Sequence, residues 1–475
     1  MKLDHTMLRP DNRQAGRVFD PALVASKRSE AGSVLIIVLW MALGLVAIAL
    51  YFANSMNFEF RASDNRISGL GAEQTIEGAA RYVKQVLIAY ATNGAVPVNT
   101  EFSCEEVPVG DCKFWIIGRD TSGTVPTKPY FGLVDDGSKL NLNFANSNAL
   151  VYLPNMTAEI ANAITDWRDT NGTMTLNNAL MGYSPKHAPF ETVDEIRLVD
   201  RVTLSLLDGA DVNHNGILDS NEKNTTSKSS DEGLLEYLTI YSREPNFRPD
   251  GTSYTNASTA NDLYNLLVTH FDSTRATQIM TTLGFTSGGG GGPGGGGGGG
   301  ATSPSLTNAI QFYYQSQLPL TDFEMIYNDL SFTTNGMYIF GRVNVNTASA
   351  EVLYALFVGI GAEENDASTA AQTLVDYRAQ NSDSLSTVGW VVDALGRDNN
   401  IVTLLRRGDY VTTRSYQFTA DIVATGPMGR GYHRVKFVFD TSDGTPKIIY
   451  RQDLSRLGWA LGDTVRETLL AKDTQ

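Results

Sequence analysis

The chain has 475 residues, 42% of them hydrophobic, which is long enough for more than one buried core. Lys and Arg number 37 against 52 Asp and Glu, a formal charge of -15, and a surface of that sign repels phosphate, so nucleic acid is excluded as an expected partner. The five His (His5, His187, His214, His270, His433) are scattered, and neither H-E-x-x-H nor G-x-S-x-G occurs, so no enzyme is expected.

Residues 1–32 form a charged leader in which Lys2, Arg9, Arg13, Arg17, Lys27 and Arg28 outnumber Asp4, Asp11, Asp20 and Glu30. Residues 33–52 follow without a charge, and about 20 apolar residues can cross a hydrocarbon layer roughly 30 Å thick as one helix. The run exceeds the apolar core of about 7 to 15 residues of a secretory signal peptide, and no small-x-small cleavage site follows it. The Lys/Arg excess before the span predicts that the N-terminus stays inside and the bulk of the chain lies outside. An uncleaved signal anchor is one reading of this junction. Basic residues, then Gly32, then an apolar helix also resemble the processing site of type IV prepilins and type II secretion pseudopilins. That resemblance implies cleavage by a prepilin peptidase between Gly32 and Ser33, with methylation of the new N-terminus. Most members of those families carry Glu at the fifth mature position; here it is Ile37, and the member that lacks this Glu is the K-type minor pseudopilin.

Residues 56–94 place Ile67, Leu70, Ile76, Ala80, Val83, Leu87 and Tyr90 at three-to-four spacing, which predicts one long transmembrane and stalk helix over 33–94, ending at Asn93-Gly94. Cys104 and Cys112 are the only cysteines; a short Pro-containing loop on the trans side of a membrane favours a disulfide between them. Free thiols are the alternative, and a metal pair is disfavoured because no His or third Cys is near. Strands are expected at 113–118, 130–134 and 139–143, and again only at 416–424, 432–440 and 446–451. A sheet begun in 95–145 and completed in 413–475 implies a large, mostly helical insertion.

The insertion carries a weak internal repeat. Lys139-Leu-Asn-Leu-Asn matches Arg342-Val-Asn-Val-Asn, Ile164-Thr-Asp-Trp-Arg168 matches Leu374-Val-Asp-Tyr-Arg378, and Thr192-Val193 matches Thr387-Val388. Each copy reads as an extended Asn-x-Asn, a helix begun by a Ser/Thr/Asn cap, a turn and a second helix. These units resemble the helix-hairpin-helix or SAM-like units of K-type pseudopilins, and the likeness extends over most of residues 30–455. The expected fold is α+β: a long N-terminal helix packed on a small antiparallel sheet, with a large mostly helical insertion containing two such units, at 146–287 and 301–412. Between them, the glycine run at 288–300 reads as a flexible tether. Gly359-Ile-Gly361 resembles a DNA-contacting hairpin, but Glu351, Glu363, Glu364 and Asp366 surround it, and a packing role is preferred.

The sharpest local chemistry is a twelve-residue loop from Asp211 to Glu222. Asp211, Asn213, Asn215, Asp219 and Glu222 supply side-chain oxygens at positions 1, 3, 5, 9 and 12, Ile217 a backbone carbonyl at position 7, and Gly216 the sharp turn at position 6. That is the oxygen set a calcium ion takes in an EF-hand loop. The segment 192–207 is a candidate entering helix; 223–229 is a poor exit helix, so a lone structural loop is expected. Similar loops occur in K-type pseudopilins.

Taken together the resemblance implies a minor pseudopilin that caps or initiates the periplasmic pseudopilus of a type II secretion system. It would be held by one pass in the bacterial inner membrane and would assemble with the I- and J-type minor pseudopilins. A minor pilin of a type IV pilus, or an unprocessed signal-anchored periplasmic binding protein, are the alternatives.

Overall fold

A computed structural model describes residues 31–120, 128–171, 182–219, 222, 232–285, 304–333 and 336–473. Most of the leader, the glycine tether at 288–300 and the segment after the acidic loop lie outside these residues. The chain divides into two compact units, Met1–Asp64 and Asn65–Gln475, with the helix α1 (Ala31–Ile88) running through both sequences.

In the first unit the apolar side chains from Val34 to Phe60 are all exposed, each by more than half. From Val34 to Phe52 no charge interrupts the apolar residues, so the helix there is apolar all round. Among the described residues this is the one helix long and apolar enough to cross a membrane. Gly32 and Ser33 lie in its first turn, and Ile37 is 57% exposed within the apolar stretch.

In the second unit the rear of α1 buries Ala72, Ile76, Ala79, Ala80, Val83 and Leu87 against an antiparallel sheet. The expected stripe is displaced at its start: Ile67 and Leu70 are exposed, whereas Ser68, Ala72 and Thr75 are buried. Small residues are needed there because the helix passes tightly over the sheet's end. A Cβ on Gly431 would come within 2.3 Å of the Ser68 backbone, and Gly431 has φ +68.

The sheet consists of β1 (Val107–Val109), β2 (Cys112–Ile117), β3 (Val134–Asp135) and, much later in the chain, β12 (Gln417–Thr425), β13 (His433–Asp440) and β14 (Lys447–Asp453). Its order is β1-β2-β12-β13-β14, with β3 also on β12. Side chains alternate as strands require: Phe114, Ile116, Phe418, Ile422, Phe437 and Phe439 face α1, while Trp115, Ile117 and Val423 face Ala460, Leu461 and Leu469. Both faces are covered, which is why Phe114 to Ile117 of β2 form an unbroken apolar run.

The chain between β3 and β12 holds a second, larger core. Its first copy has β4 (Leu140–Asn141), α2 (Ser147–Val151), α3 (Ala158–Arg168), the short α4 (Leu204–Asp208) and β5 (Leu238–Thr239), which pairs in parallel with β4. Then come β6 (Arg243–Pro245), β7 (Thr255–Asn256), α5 (Ala260–His270), α6 (Ser273–Thr282), α7 (Ala309–Ser316), α8 (Leu320–Tyr327), β8 (Leu330–Ser331) and β9 (Tyr338–Phe340). The second copy has β10 (Val343–Asn344), α9 (Ala350–Gly359), α10 (Glu364–Gln380), α11 (Gly389–Leu395), α12 (Asn400–Leu405) and β11 (Val411–Thr412), again parallel to β10. The last described element is α13 (Gly462–Asp473).

The repeat is physical as well as textual. Asn146 caps α2 and Ser349 caps α9. Arg168 donates to the carbonyls of Leu142 and Ala145, and Arg378 to those of Val345 and Ala348. Each arginine thus satisfies one carbonyl within Asn-x-Asn and one just after it, a burden that burial makes obligatory. The Gly359 carbonyl accepts from Asn146 Nδ2 at 3.0 Å, and Gly359 lies against Ala149, so the glycine hairpin of the second copy packs on the first.

The expected disulfide is corrected. Cys104 and Cys112 are free thiols. The Cys104 carbonyl accepts from the Ile116 amide at 2.9 Å, so Cys104 lies beside Ile116, four residues along β2 from Cys112. At roughly 3.3 Å per residue that separates them by about 13 Å, beyond the ~7 Å between Cα atoms that a disulfide spans.

Candidate metal centre

The acidic loop follows α4, whose C-terminus is closed by Gly209 donating to the Ser205 carbonyl. The single entering helix expected over 192–207 is not formed. A 3-10 turn (Val193–Leu198) and α4 stand in its place, separated by a bend at Arg201, which has φ +64.

Within the loop the chain curls around its own carboxylates. Asp211 accepts from the amides of Gly216 (2.7 Å) and Asn215 (3.0 Å), a closure that Gly216 permits with φ +80. Glu222 closes the other side with both oxygens, from the amides of Asn213 (3.2 Å) and Asp219 (3.0 Å). Asp219 Oδ2 receives Nδ2 of Asn213 at 2.7 Å and of Asn215 at 3.0 Å, and Asn215 Oδ1 holds the Ile217 amide at 2.9 Å. Asp211, Asn213, Asn215 and Asp219 are all buried; Ile217 and Glu222 are half-buried. The side chains of Asp211, Asn213, Asn215, Asp219 and Glu222 are thus joined in one hydrogen-bonded loop, with Ile217 tied to it through its amide.

The donor chemistry fits a hard cation. Asn213 Oδ1 is buried without a hydrogen-bond partner, an oxygen whose burial is costly unless something positive meets it. Burial pushes the Asp211 carboxyl up to about 6 even with Arg119 nearby, the sign of a carboxylate short of positive charge. Among the described residues no three His, Cys, Asp or Glu side chains form a metal cluster by themselves. A cation here would draw on the amide and carbonyl oxygens that calcium accepts.

Sequence reasoning missed what grips the loop from outside. Arg434, on β13 and wholly buried, donates to the carbonyls of Asn213 and His214 while pairing with Asp421. Arg119, just past β2, donates to the His214 carbonyl at 3.1 Å and pairs with Glu236 at 2.6 Å. Burial opposes ionisation of Glu236, but the charges of Arg119 and Lys139 hold its carboxyl far below the usual range. Asn213 Nδ2 also donates to the Trp459 carbonyl at 3.2 Å. The only hint in sequence was a charged residue inside a β-branched and aromatic strand.

Compared with known proteins, the chain matches no family model and no curated protein.

Proposed function

We propose that this chain is a K-type minor pseudopilin, which caps or initiates the periplasmic pseudopilus of a type II secretion system exporting folded proteins. The observation that carries this reading is α1: one helix with a fully exposed, membrane-length apolar front and a rear that buries Ala72, Ile76, Val83 and Leu87 on an antiparallel sheet. A membrane-held stalk helix joined to a sheet is what a pseudopilin needs to enter a filament.

The two copies after β3 act as helix-hairpin-helix units inserted into that sheet, and their glycine hairpin serves packing rather than nucleic acid. The acidic loop holds calcium through Asp211, Asn213, Asn215, the Ile217 carbonyl, Asp219 and Glu222. Bound calcium would offset two of the three negative charges of Asp211, Asp219 and Glu222 and make the loop a rigid brace between the insertion and the sheet. A prepilin peptidase cuts between Gly32 and Ser33.

The lack of Glu at the fifth mature position favours a tip location. An ionised carboxylate inside a bilayer is costly unless partnered, and shaft subunits of the family are held to pair it with a neighbour's N-terminal amine. Ile37 cannot dock beneath a neighbour in that way, but other subunits can join below. The test is affinity purification of the full chain from detergent-solubilised membranes of its bacterium. Recovery with the I- and J-type minor pseudopilins is expected; their absence from the eluate, with the bait intact, would contradict the reading.

A further inference from the structure

Asn213 sits between the acidic loop and the C-terminal segment of the chain. Its Nδ2 reaches Asp219 Oδ2 at 2.7 Å and the Trp459 carbonyl at 3.2 Å, while its Oδ1 is buried without a partner. Turning the amide over would set Oδ1 against two acceptors. The segment therefore helps fix which atom of Asn213 is left for a cation.

The same segment covers one face of the sheet. Ala460 and Leu461 are fully buried with Trp115, Ile117 and Val423; Trp459 packs on Tyr432 at 5.3 Å between ring centres, and its Nε1 donates to the Gly462 carbonyl at 2.8 Å. The Ile217 side chain lies beside Gly462 at the start of α13.

We propose that cation binding at the loop and docking of residues 459–473 on the sheet are coupled through Asn213, so that calcium regulates whether the face formed by Trp115, Ile117 and Val423 stays covered. This rests on the calcium reading above. A cation on Oδ1 holds the amide in the orientation that donates to Trp459, and a docked segment holds the same amide ready for the cation. Linkage makes the two effects equal in size. Arg434 and Arg119 supply the fixed backing, since they hold the Asn213 and His214 carbonyls from the sheet side.

Hydrogen–deuterium exchange on the full chain in detergent, with calcium or with EGTA, tests this alongside calorimetric calcium titration. Calcium is expected to slow amide exchange in the loop and, by about fivefold or more, in 459–473. Binding with slower exchange in the loop alone overturns the coupling and leaves the calcium reading intact. No heat of binding and no change in the loop overturns the calcium reading, and the coupling with it. The reciprocal arm uses Leu461→Asp, which puts a charge on the sheet face and undocks the segment. Its calcium Kd is expected to rise about fivefold or more. An unchanged Kd in a variant whose segment exchanges freely overturns the coupling; if that variant does not fold, the exchange pattern of the unaltered chain decides alone.

Discussion

Arg434 Nε lies 2.9 Å from Oδ1 of Asp421 on the neighbouring strand, a bidentate pair buried between the sheet and the acidic loop. Removing one partner of such a pair strands a charge in a medium that cannot solvate it. Arg434→Ala is expected to cost about 3 to 5 kcal/mol in urea denaturation. Replacing both residues by apolar ones of similar volume is expected to cost much less. A single replacement no worse than the double would show that the pair is not a buried unit.

Calcium is expected to stabilise the fold by mass action, about 2.7 kcal/mol at a hundredfold excess over its Kd. Asp211→Asn and Glu222→Gln are each expected to abolish that gain. Gly216→Ala forces a side chain into positive φ, at a cost of about 1 to 2 kcal/mol. Thermal melts in calcium and in EGTA read all three. Superimposed melts for the unaltered protein would contradict calcium binding at this loop.

Asp135 gives a pH dependence of known sign. It accepts from the Gly137 amide (2.7 Å), Asn344 Nδ2 (2.9 Å) and Thr347 Oγ1 (2.5 Å), tying the sheet to the second copy. Burial raises its carboxyl from 3.8 to about 6 against those hydrogen bonds. The folded state thus binds the proton more tightly than the unfolded chain, so stability from this group is full below about 4 and is lost as pH rises through about 6. The gap corresponds to about 3 kcal/mol. The stability difference between the unaltered protein and Asp135→Asn, measured by urea denaturation in EGTA from pH 4 to 7, is expected to move against the unaltered protein by that order. A flat difference would show that Asp135 titrates normally.

The repeated arginines should rank by burial. Arg378 is buried, which lowers its guanidinium to about 10, whereas Arg168 is only part-buried. Arg378→Ala leaves the Val345 and Ala348 carbonyls without their charged donor and is expected to cost about 3 kcal/mol. Arg168→Ala is expected to cost less, and the reverse order in denaturation would contradict equivalent roles for the two.

Where local chemistry dictates structure, the sequence was legible. β2, β12, β13 and β14 lie within two residues of the expected strands because β-branched and aromatic runs report a pleated, buried surface directly. A Ser/Thr/Asn cap on the first helix of each copy was readable from local chemistry, and it is Asn146 in one and Ser349 in the other. The two-residue strands β5 and β11 were not, because parallel pairing of Leu140 with Leu238 and of Val343 with Val411 is imposed by distant chain and leaves no periodicity. Ile67 and Leu70 followed helical spacing, yet they are exposed while Ser68, which lies close against Gly431, is buried. The cysteine loop looked short in sequence, but pairing Val107 with Phe114 stretches it along β2. The loop's own residues were legible as a unit; the grip of Arg434 and Arg119 on its carbonyls depends on interior strands of the sheet and a loop that the sequence separates widely.

A peptidase acting as proposed would expose Ser33 and leave an apolar helix that begins there. Intact mass and N-terminal peptide mapping of the protein recovered from its own membranes read the outcome. An N-terminus at methylated Ser33, with the 32-residue leader gone, is expected; a chain that retains Met1 in cells whose other prepilins are trimmed would contradict it.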